Sequence, residues 1–497
     1  MRYLSTRDRR TRFMPADAIA MGLARDGGLF VPEVFPRLSQ NSLKSMCEMS
    51  YQQRTVFVLT PFLEDFTASE IGSFATKAYN TEKFDTPEIA PLRAIEPNTF
   101  FLELWHGPTS AFKDMALQML PHLLITSLKK KLEKKNVCIL VATSGDTGKA
   151  ALEGFSDVDR TRIIVFYPRD GVSDIQKLQM VTQEGKNVGV FAVEGNFDDA
   201  QSGVKAIFSD PDLRERLESR GYFLSSANSI NWGRLLPQII YYVSAYCDLV
   251  KEGRIFLGEQ VHVCVPTGNF GNILAAYYAK KMGVPIGKLI CASNSNNVLT
   301  DFINTGTYDK NRRFYTTISP SMDILISSNL ERLLFDLSDY DDELITWYMK
   351  KLAETGVYTV NQTIKSKLDT YFWANYCDDE KTKMVIRAVY GKYNYLIDPH
   401  TAVAFDVLNH YRYKTGDQTP AIVASTASPY KFCDSVLSAL GEDTRMKSGL
   451  ELIDRLSEVT GTEPPRPLLE LRSKPVRFDR SVRKEDMIKV VEDMLLK

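Results

Sequence analysis

The sequence predicts an α/β chain built on parallel-rich sheets with helices on both faces. Three observations carry this. An apolar run, a loop of Gly, Asn or Ser, and an amphipathic segment follow one another in "VCILVATSGDTGKAALEGF", "VHVCVPTGNFGNILAAYYAKKMG" and "PAIVASTASPYKFCDSVLSAL". Between them lie "TRIIVFYP", "NVGVFAVEG", "YFLSSAN" and "KLICASN", each short and rich in branched residues. Strands alternating with helices make βαβ units, whose ligands bind in the loops at the carboxyl ends of the strands. Finally, 497 residues exceed what one hydrophobic core organises, so two or three domains are expected.

From the N-terminus, residues 1–92 mix short helical patterns with the turn-rich "ARDGGLFVPE" and form an N-terminal domain. Residues 93–130 and 225–460 form a large domain, and 131–224 a small α/β domain inserted between them. Within the large domain, 300–395 is aromatic-rich and reads as helical. Residues 461–497 read as a Pro-containing linker and a short charged helix, a tail that packs on the body.

Composition narrows the function. Hydrophobic residues make up 44% and charged residues 25%, as in ordinary globular proteins. A net charge of -1 argues against a generally basic nucleic-acid binder, and no apolar run reaches membrane-spanning length. The start "MRYLSTRDRRTRF" lacks a following signal-type apolar core. Seven scattered cysteines without a CxxC pair predict no metal site and reduced thiols in a cytoplasm.

Four strand-end loops can carry chemistry. In "VPTGNFGN", Gly268 and Gly271 let backbone N–H groups approach an anion at the start of a helix; a tight strand-to-helix turn is the plainer alternative. "ATSGDTGKAA" fails as a nucleotide-binding P-loop, because Thr143 takes the place of its first glycine and Ala150 that of its Ser/Thr. Thr143, Ser144 and Thr147 still make a nest suited to a carboxylate or phosphate. Asp146 is an odd guest there, unless it caps the helix. "SSANSINWGR" groups Asn228, Ser229, Asn231 and Arg234, either around a phosphate or as caps with a solvated Arg. "ASTASPYKF" places small hydroxyl residues at a strand end, as a site or as a capped turn.

In "HGPTSAFKDMALQML", Lys113 heads a helical stripe through Ala116, Leu117, Leu120 and Leu124, with Pro121 a point for a bend. The ammonium thus aims at the core. Burial and a helix N-terminus both push a lysine towards the neutral amine, and a neutral amine attacks aldehydes. Pyridoxal phosphate is an aldehyde carrying a phosphate.

At these residues the chain resembles the threonine synthase family of the longer bacterial and fungal type, pyridoxal-phosphate enzymes of the tryptophan-synthase-β-like fold (fold type II). The resemblance runs from "ARDGGLFVPE" through "HGPTSAFKD", "ATSGDTG", "SANSINWGR", "PTGNFGN", "SPSMDILISSNLERLLF" and "DPHTAVA" to "STASPYKF". It implies Lys113 as the catalytic, cofactor-bearing lysine. It implies Gly268, Asn269, Phe270, Gly271 and Asn272 at the cofactor phosphate, Thr426 at the pyridine nitrogen and Asp146 near the ring hydroxyl. Thr143, Ser144 and Thr147 match the loop over the substrate carboxylate; Asn228, Ser229 and Arg234, with Lys149, match a substrate-phosphate site. Two positions depart from the family pattern: Ser110, usually apolar, and Ser428, often His. The implied reaction converts O-phosphohomoserine and water to threonine and phosphate, in a cytoplasmic monomer or homodimer without metal, nucleic acid or S-adenosylmethionine control. A phospho-lyase giving 2-oxobutyrate, a dehydratase and a non-catalytic protein keeping the fold are the alternatives.

Overall fold

In the computed structural model, which describes residues 1–169, 172–445 and 447–496, the larger sheet has six strands. Their order is Phe372–Tyr376, Ile286–Ser293, Val261–Pro266, Ala421–Ser425, Thr99–Glu103 and Leu92–Glu96. Every neighbouring pair is parallel except the last, where Leu92–Glu96 runs antiparallel along the edge. All residues of Val261–Pro266 and of Ala421–Ser425 are buried, as expected of strands covered by helices on both faces. The edge strand "LRAIE" instead leaves Arg93 open to solvent, which blunts it against pairing.

A second sheet of five parallel strands is ordered Ser481–Val482, Val188–Val193, Thr161–Pro168, Asn136–Ala142 and Tyr222–Ser225. The seven β-branched runs read from the sequence are all strands of these two sheets. Thr99–Glu103, Leu92–Glu96 and Phe372–Tyr376 escaped that reading. The last lies inside the stretch read as helical, which also holds the antiparallel strand pair Thr307–Asp309 and Val357–Thr359 beside the helices Val298–Thr305, Leu330–Leu337, Asp342–Glu354, Gln362–Tyr371 and Asp379–Tyr393.

The N-terminal residues form a three-stranded antiparallel sheet, Asp8–Phe13, Tyr3–Ser5 and Phe30–Pro32. Helices Gln40–Cys47, Tyr51–Leu59 and Ala68–Ala78 follow, the last two opened by the capping boxes Ser50/Gln53 and Thr67/Glu70. Arg7 forks onto Glu331 at 2.9 Å through both nitrogens, and the fully buried Arg332 donates to the Phe30 carbonyl at 2.9 Å. Both partners sit on helix Leu330–Leu337, so the N-terminal sheet is bolted to that helix.

The helix expected from Lys113 is broken. Asp114–Leu117 is one turn, and a second helix, Leu120–Lys130, restarts with Pro121 in its first turn, where a missing N–H costs nothing. The apolar stripe nevertheless holds: Ala116, Leu117, Leu120 and Leu124 are all buried.

The C-terminal tail does more than lie on the body. Ser481–Val482 adds a strand beside Val188–Val193, and Val490 and Val491 of helix Met487–Leu495 join a core with Cys138, Leu140, Ile164 and Phe166. The physical reason is the edge: without the tail, Val188–Val193 would present unpaired N–H and C=O groups to solvent. Truncation after Phe478 should therefore open this edge, lower the thermal midpoint and drive association. Size-exclusion chromatography beside thermal unfolding checks this; a monodisperse truncated chain of unchanged midpoint would contradict it.

Candidate active site

Five loops meet at carboxyl ends of strands. Three leave neighbouring strands of the larger sheet: 267–270 after Val261–Pro266, 426–428 after Ala421–Ser425, and 104–113 after Thr99–Glu103. Two leave neighbouring strands of the smaller sheet: 143–145 after Asn136–Ala142, and 226–231 after Tyr222–Ser225. The Phe112 N–H donates to the Thr426 carbonyl at 2.8 Å, and the Ser428 N–H to the Ser110 carbonyl at 3.1 Å. These bonds set Lys113 and Thr426 side by side. Ser110 and Ser428, the two departures from the family pattern, thus touch each other through the backbone.

Lys113 lies in the cleft with its Nζ 3.3 Å from Ser321 Oγ and 3.8 Å from Asp146 Oδ2. Burial pulls its pKa down to about 8; Asp146 opposes that pull, and the Arg234 and Lys431 charges add to it. With one turn of helix behind it, burial rather than a helix dipole is the principal cause.

Asp146 finds the partner that its position in the sequence left unexplained. Its Oδ1 accepts from Lys431 Nζ at 2.7 Å and from Gln176 Nε2 at 2.8 Å; its Oδ2 faces Lys113 and Ser321 Oγ, the latter at 3.5 Å. Burial disfavours the charged carboxyl, but the Lys431 and Lys113 ammoniums hold it well below the usual carboxylate range. Gly145, the residue before it, has φ of 135°, and a Cβ there would lie 2.5 Å from the Gln176 amide, so only glycine lets this turn close.

Anion-binding groups surround Lys113. At residues 268–272 the backbone N–H groups meet no acceptor among the described residues, and Phe270, at φ of 61°, turns the chain into helix Gly271–Met282. The Asn272 side-chain oxygen accepts from Tyr241 at 3.0 Å and from Tyr242, while its buried Nδ2 has no partner among the described residues. In the other loop, the Thr143 hydroxyl accepts from the Gly145 and Gly148 N–H groups at 3.0 and 2.9 Å. The N–H groups of Ser144, Asp146 and Thr147 meet no acceptor among the described residues, and the Ser144 and Thr147 side chains are half-buried. Arg234 is buried and donates to the Ala227 carbonyl at 2.6 Å; among the described residues no carboxylate pairs with it, and burial brings its pKa to about 10. Asn228 lies half-buried in the loop before it, and the Ser229 hydroxyl accepts from Asn329 at 3.0 Å.

Lys149 is not brought to this cleft as an anion ligand. Its ammonium pairs with Glu153 at 2.9 Å and with Gln183, because four residues along a helix bring Lys149 and Glu153 together. Asn231 is a cap for the Gly233 N–H. Five site residues went unread in the sequence: Lys431, Ser321, His400, Asn329 and Arg332. His400 Nδ1 is bonded to Asp398 at 2.6 Å while Nε2 accepts the Ser321 N–H at 3.2 Å, which fixes the tautomer and carries Ser321 to Lys113. Asn329 donates to the Asn269 carbonyl and to Ser229, and Arg332 to the carbonyls of Ser229 and Ile230, so the two phosphate-type loops share one support.

The residues fit pyridoxal phosphate. A buried amine near neutrality suits an aldehyde, and the unpartnered N–H groups at 268–272 suit a phosphate. Comparison with known proteins agrees. Residues 2–79 match the family model "Threonine synthase N terminus", 77–425 "Pyridoxal-phosphate dependent enzyme" and 401–490 "Threonine synthase, C-terminal". The human protein threonine synthase-like 1 is 45% identical over 435 residues; the match takes in 86% of this chain, which spans only 58% of that relative's length. Pseudomonas aeruginosa threonine synthase is 38% identical, with 88% of this chain and 90% of that protein covered. The crystal structure of PLP-bound threonine synthase from Brucella melitensis superposes with a TM-score of 0.88 at 36% identity, over 100% of this chain and 98% of that one. With the family models running through all three parts of the fold and the cleft holding the matching residues, the chain belongs to the threonine synthase family of pyridoxal-phosphate-dependent enzymes.

Proposed function

We propose that the chain converts O-phosphohomoserine and water into threonine and phosphate. The observation that carries this is that the buried Arg234, without a carboxylate partner among the described residues, offers an anion site besides the N–H groups at 268–272. One phosphate belongs to the cofactor, and the other to the substrate. Seven buried, unpaired cysteines support a reducing compartment such as the cytoplasm.

In this reading Lys113 holds the cofactor, the N–H groups of 268–272 take its phosphate, and the Thr426 hydroxyl meets its pyridine nitrogen. When bound, pyridoxal phosphate supplies an aldehyde for amines and a ring that withdraws electrons from the attached carbon. A threonine hydroxyl at the nitrogen carries no charge, so it restrains that withdrawal where a carboxylate would strengthen it. The N–H groups of Ser144, Asp146 and Thr147 take the substrate carboxylate, and Arg234 with Asn228 and Ser229 takes the phosphate at Cγ. Freed when the substrate amine takes its place, the Lys113 amine would take the proton from Cα, hand it on to the cofactor, and only then take one from Cβ. Arg234 stabilises the departing phosphate. Lys113 returns the Cβ proton at Cγ, water gives its hydroxide to Cβ and its proton to the phosphate, and the first proton goes back to Cα.

Incubation with O-phosphohomoserine should release threonine and phosphate in equal amounts; 2-oxobutyrate in place of threonine would assign the phospho-lyase outcome instead. A charge-assisted bond to a phosphate is worth about 1.5–3 kcal/mol, so Arg234→Ala should lower kcat/KM by about 10- to 200-fold. Arg234→Lys should recover only part, and inorganic phosphate should inhibit the Ala variant much less than the wild type. Equal inhibition constants would remove Arg234 from the phosphate site.

Lys113→Ala should abolish cofactor capture and turnover, and borohydride reduction should leave the pyridoxyl group on Lys113. Because its pKa is lowered to about 8, the uncharged fraction grows as pH rises through that value. Capture by the cofactor-free protein should therefore speed up from pH 6 and level off above about 9. A rate already flat below pH 7 would contradict the buried, cation-flanked setting of Lys113.

A further inference from the structure

A carboxylate is out of place in a cleft that takes a phosphate and a carboxylate from its ligands. Asp146 nonetheless stands there, and its two oxygens are used differently. Oδ1 is held from behind by Lys431 Nζ at 2.7 Å and Gln176 Nε2 at 2.8 Å. Oδ2 is turned to the cleft, towards Lys113 Nζ at 3.8 Å and Ser321 Oγ at 3.5 Å. Lys431 is wholly buried, and its ammonium also donates to the Thr109 carbonyl at 2.8 Å. Thr109 in turn is fixed by Asp114, which accepts from its N–H at 2.8 Å and from its hydroxyl at 2.7 Å. The contacts of Lys431 reach across the cleft: Asp146 begins a helix of the small domain, while Thr109 lies in the loop that leads to Lys113.

We propose that Lys431 is a positioning residue for the reaction: it neutralises Asp146 and aims its free oxygen at Lys113, so that a carboxylate can steer the catalytic amine without repelling the substrate's anions. This rests on the reading of Lys113 as the cofactor lysine. The charges facing Lys113 are Asp146 and Asp114 on one side of the balance and Arg234 and Lys431 on the other. Removing Lys431 leaves Asp146 uncompensated, which favours the protonated form of Lys113 and disfavours a phosphate nearby. Removing both partners of the pair restores the balance, as does keeping the charge with arginine.

The test measures the Lys113 ionisation directly, by competitive labelling of the full-length, cofactor-free chain with acetic anhydride across a pH series, read by peptide mass spectrometry. Inorganic phosphate affinity is measured alongside by calorimetry. Lys431→Met should move the Lys113 midpoint up by about 0.5–1 pH unit and weaken phosphate binding by about tenfold. Asp146→Asn should move the midpoint down. The double variant Lys431→Met/Asp146→Asn and the single variant Lys431→Arg should both return towards wild type. Should Lys431→Met fail to fold, the Asp146→Asn and double variants still decide. An unmoved midpoint in Asp146→Asn, or a double variant that keeps the raised midpoint of Lys431→Met, would overturn the proposal, as would a Lys431→Met protein altered only in thermal stability. If the expected shifts appear while borohydride fails to fix pyridoxal phosphate to Lys113 in the wild type, the cofactor reading fails and the coupling of Lys431 to Lys113 stands.

Discussion

Burying a charge without a partner is among the most expensive things a fold can do, and this cleft buries more cations than anions. Lys113, Arg234 and Lys431 are set against Asp146 and Asp114, and burial raises the Asp114 carboxyl to about 6. Part of the imbalance is relieved by Lys113 approaching the neutral amine. The remainder is a standing attraction for ligands that bring phosphate and carboxylate groups with them. Loop positions follow from this: among the described residues the N–H groups at 268–272 and at 144, 146 and 147 are left without acceptors, and an anion would complete them.

The support for these loops is shared. Asn329 and Arg332, one turn apart, hold the carbonyls of Asn269, Ser229, Ile230 and Phe30. The loop assigned to the cofactor phosphate, the loop assigned to the substrate phosphate and the N-terminal sheet therefore hang from one polar node. Moving any of the three disturbs the others, because an unmade bond at a buried guanidinium is costly.

Much of this was legible in the sequence because it was local. A buried parallel strand reads as an unbroken apolar run, and Gly268 and Gly271 mark a close backbone approach; both signals sit within a few residues. What escaped was non-local. Lys431 looks like an ordinary surface lysine in "SPYKF", and only the fold shows that Asp146, from the other sheet, waits for it. Asn329 and Arg332 carry no spacing signal either, since their partners are carbonyls distant in sequence. Thr99–Glu103 was missed because five residues beside a charged edge strand show no periodicity, although that strand delivers the loop bearing Lys113. Lys149, named only through the family resemblance, shows the same limit: its own helix supplies Glu153 as a partner.

The closure of the small sheet by Ser481–Val482 bears on how the chain comes into being. Val188–Val193 leaves the ribosome well before the residues that pair with its outer edge, which follow roughly 290 positions later. At about 5–20 residues per second, that interval lasts roughly 15–60 seconds. For all of it a buried-type apolar strand stands at an open edge, available to any neighbouring chain. Until then the edge stays open, and Ser481–Val482 acts as the latch that closes it.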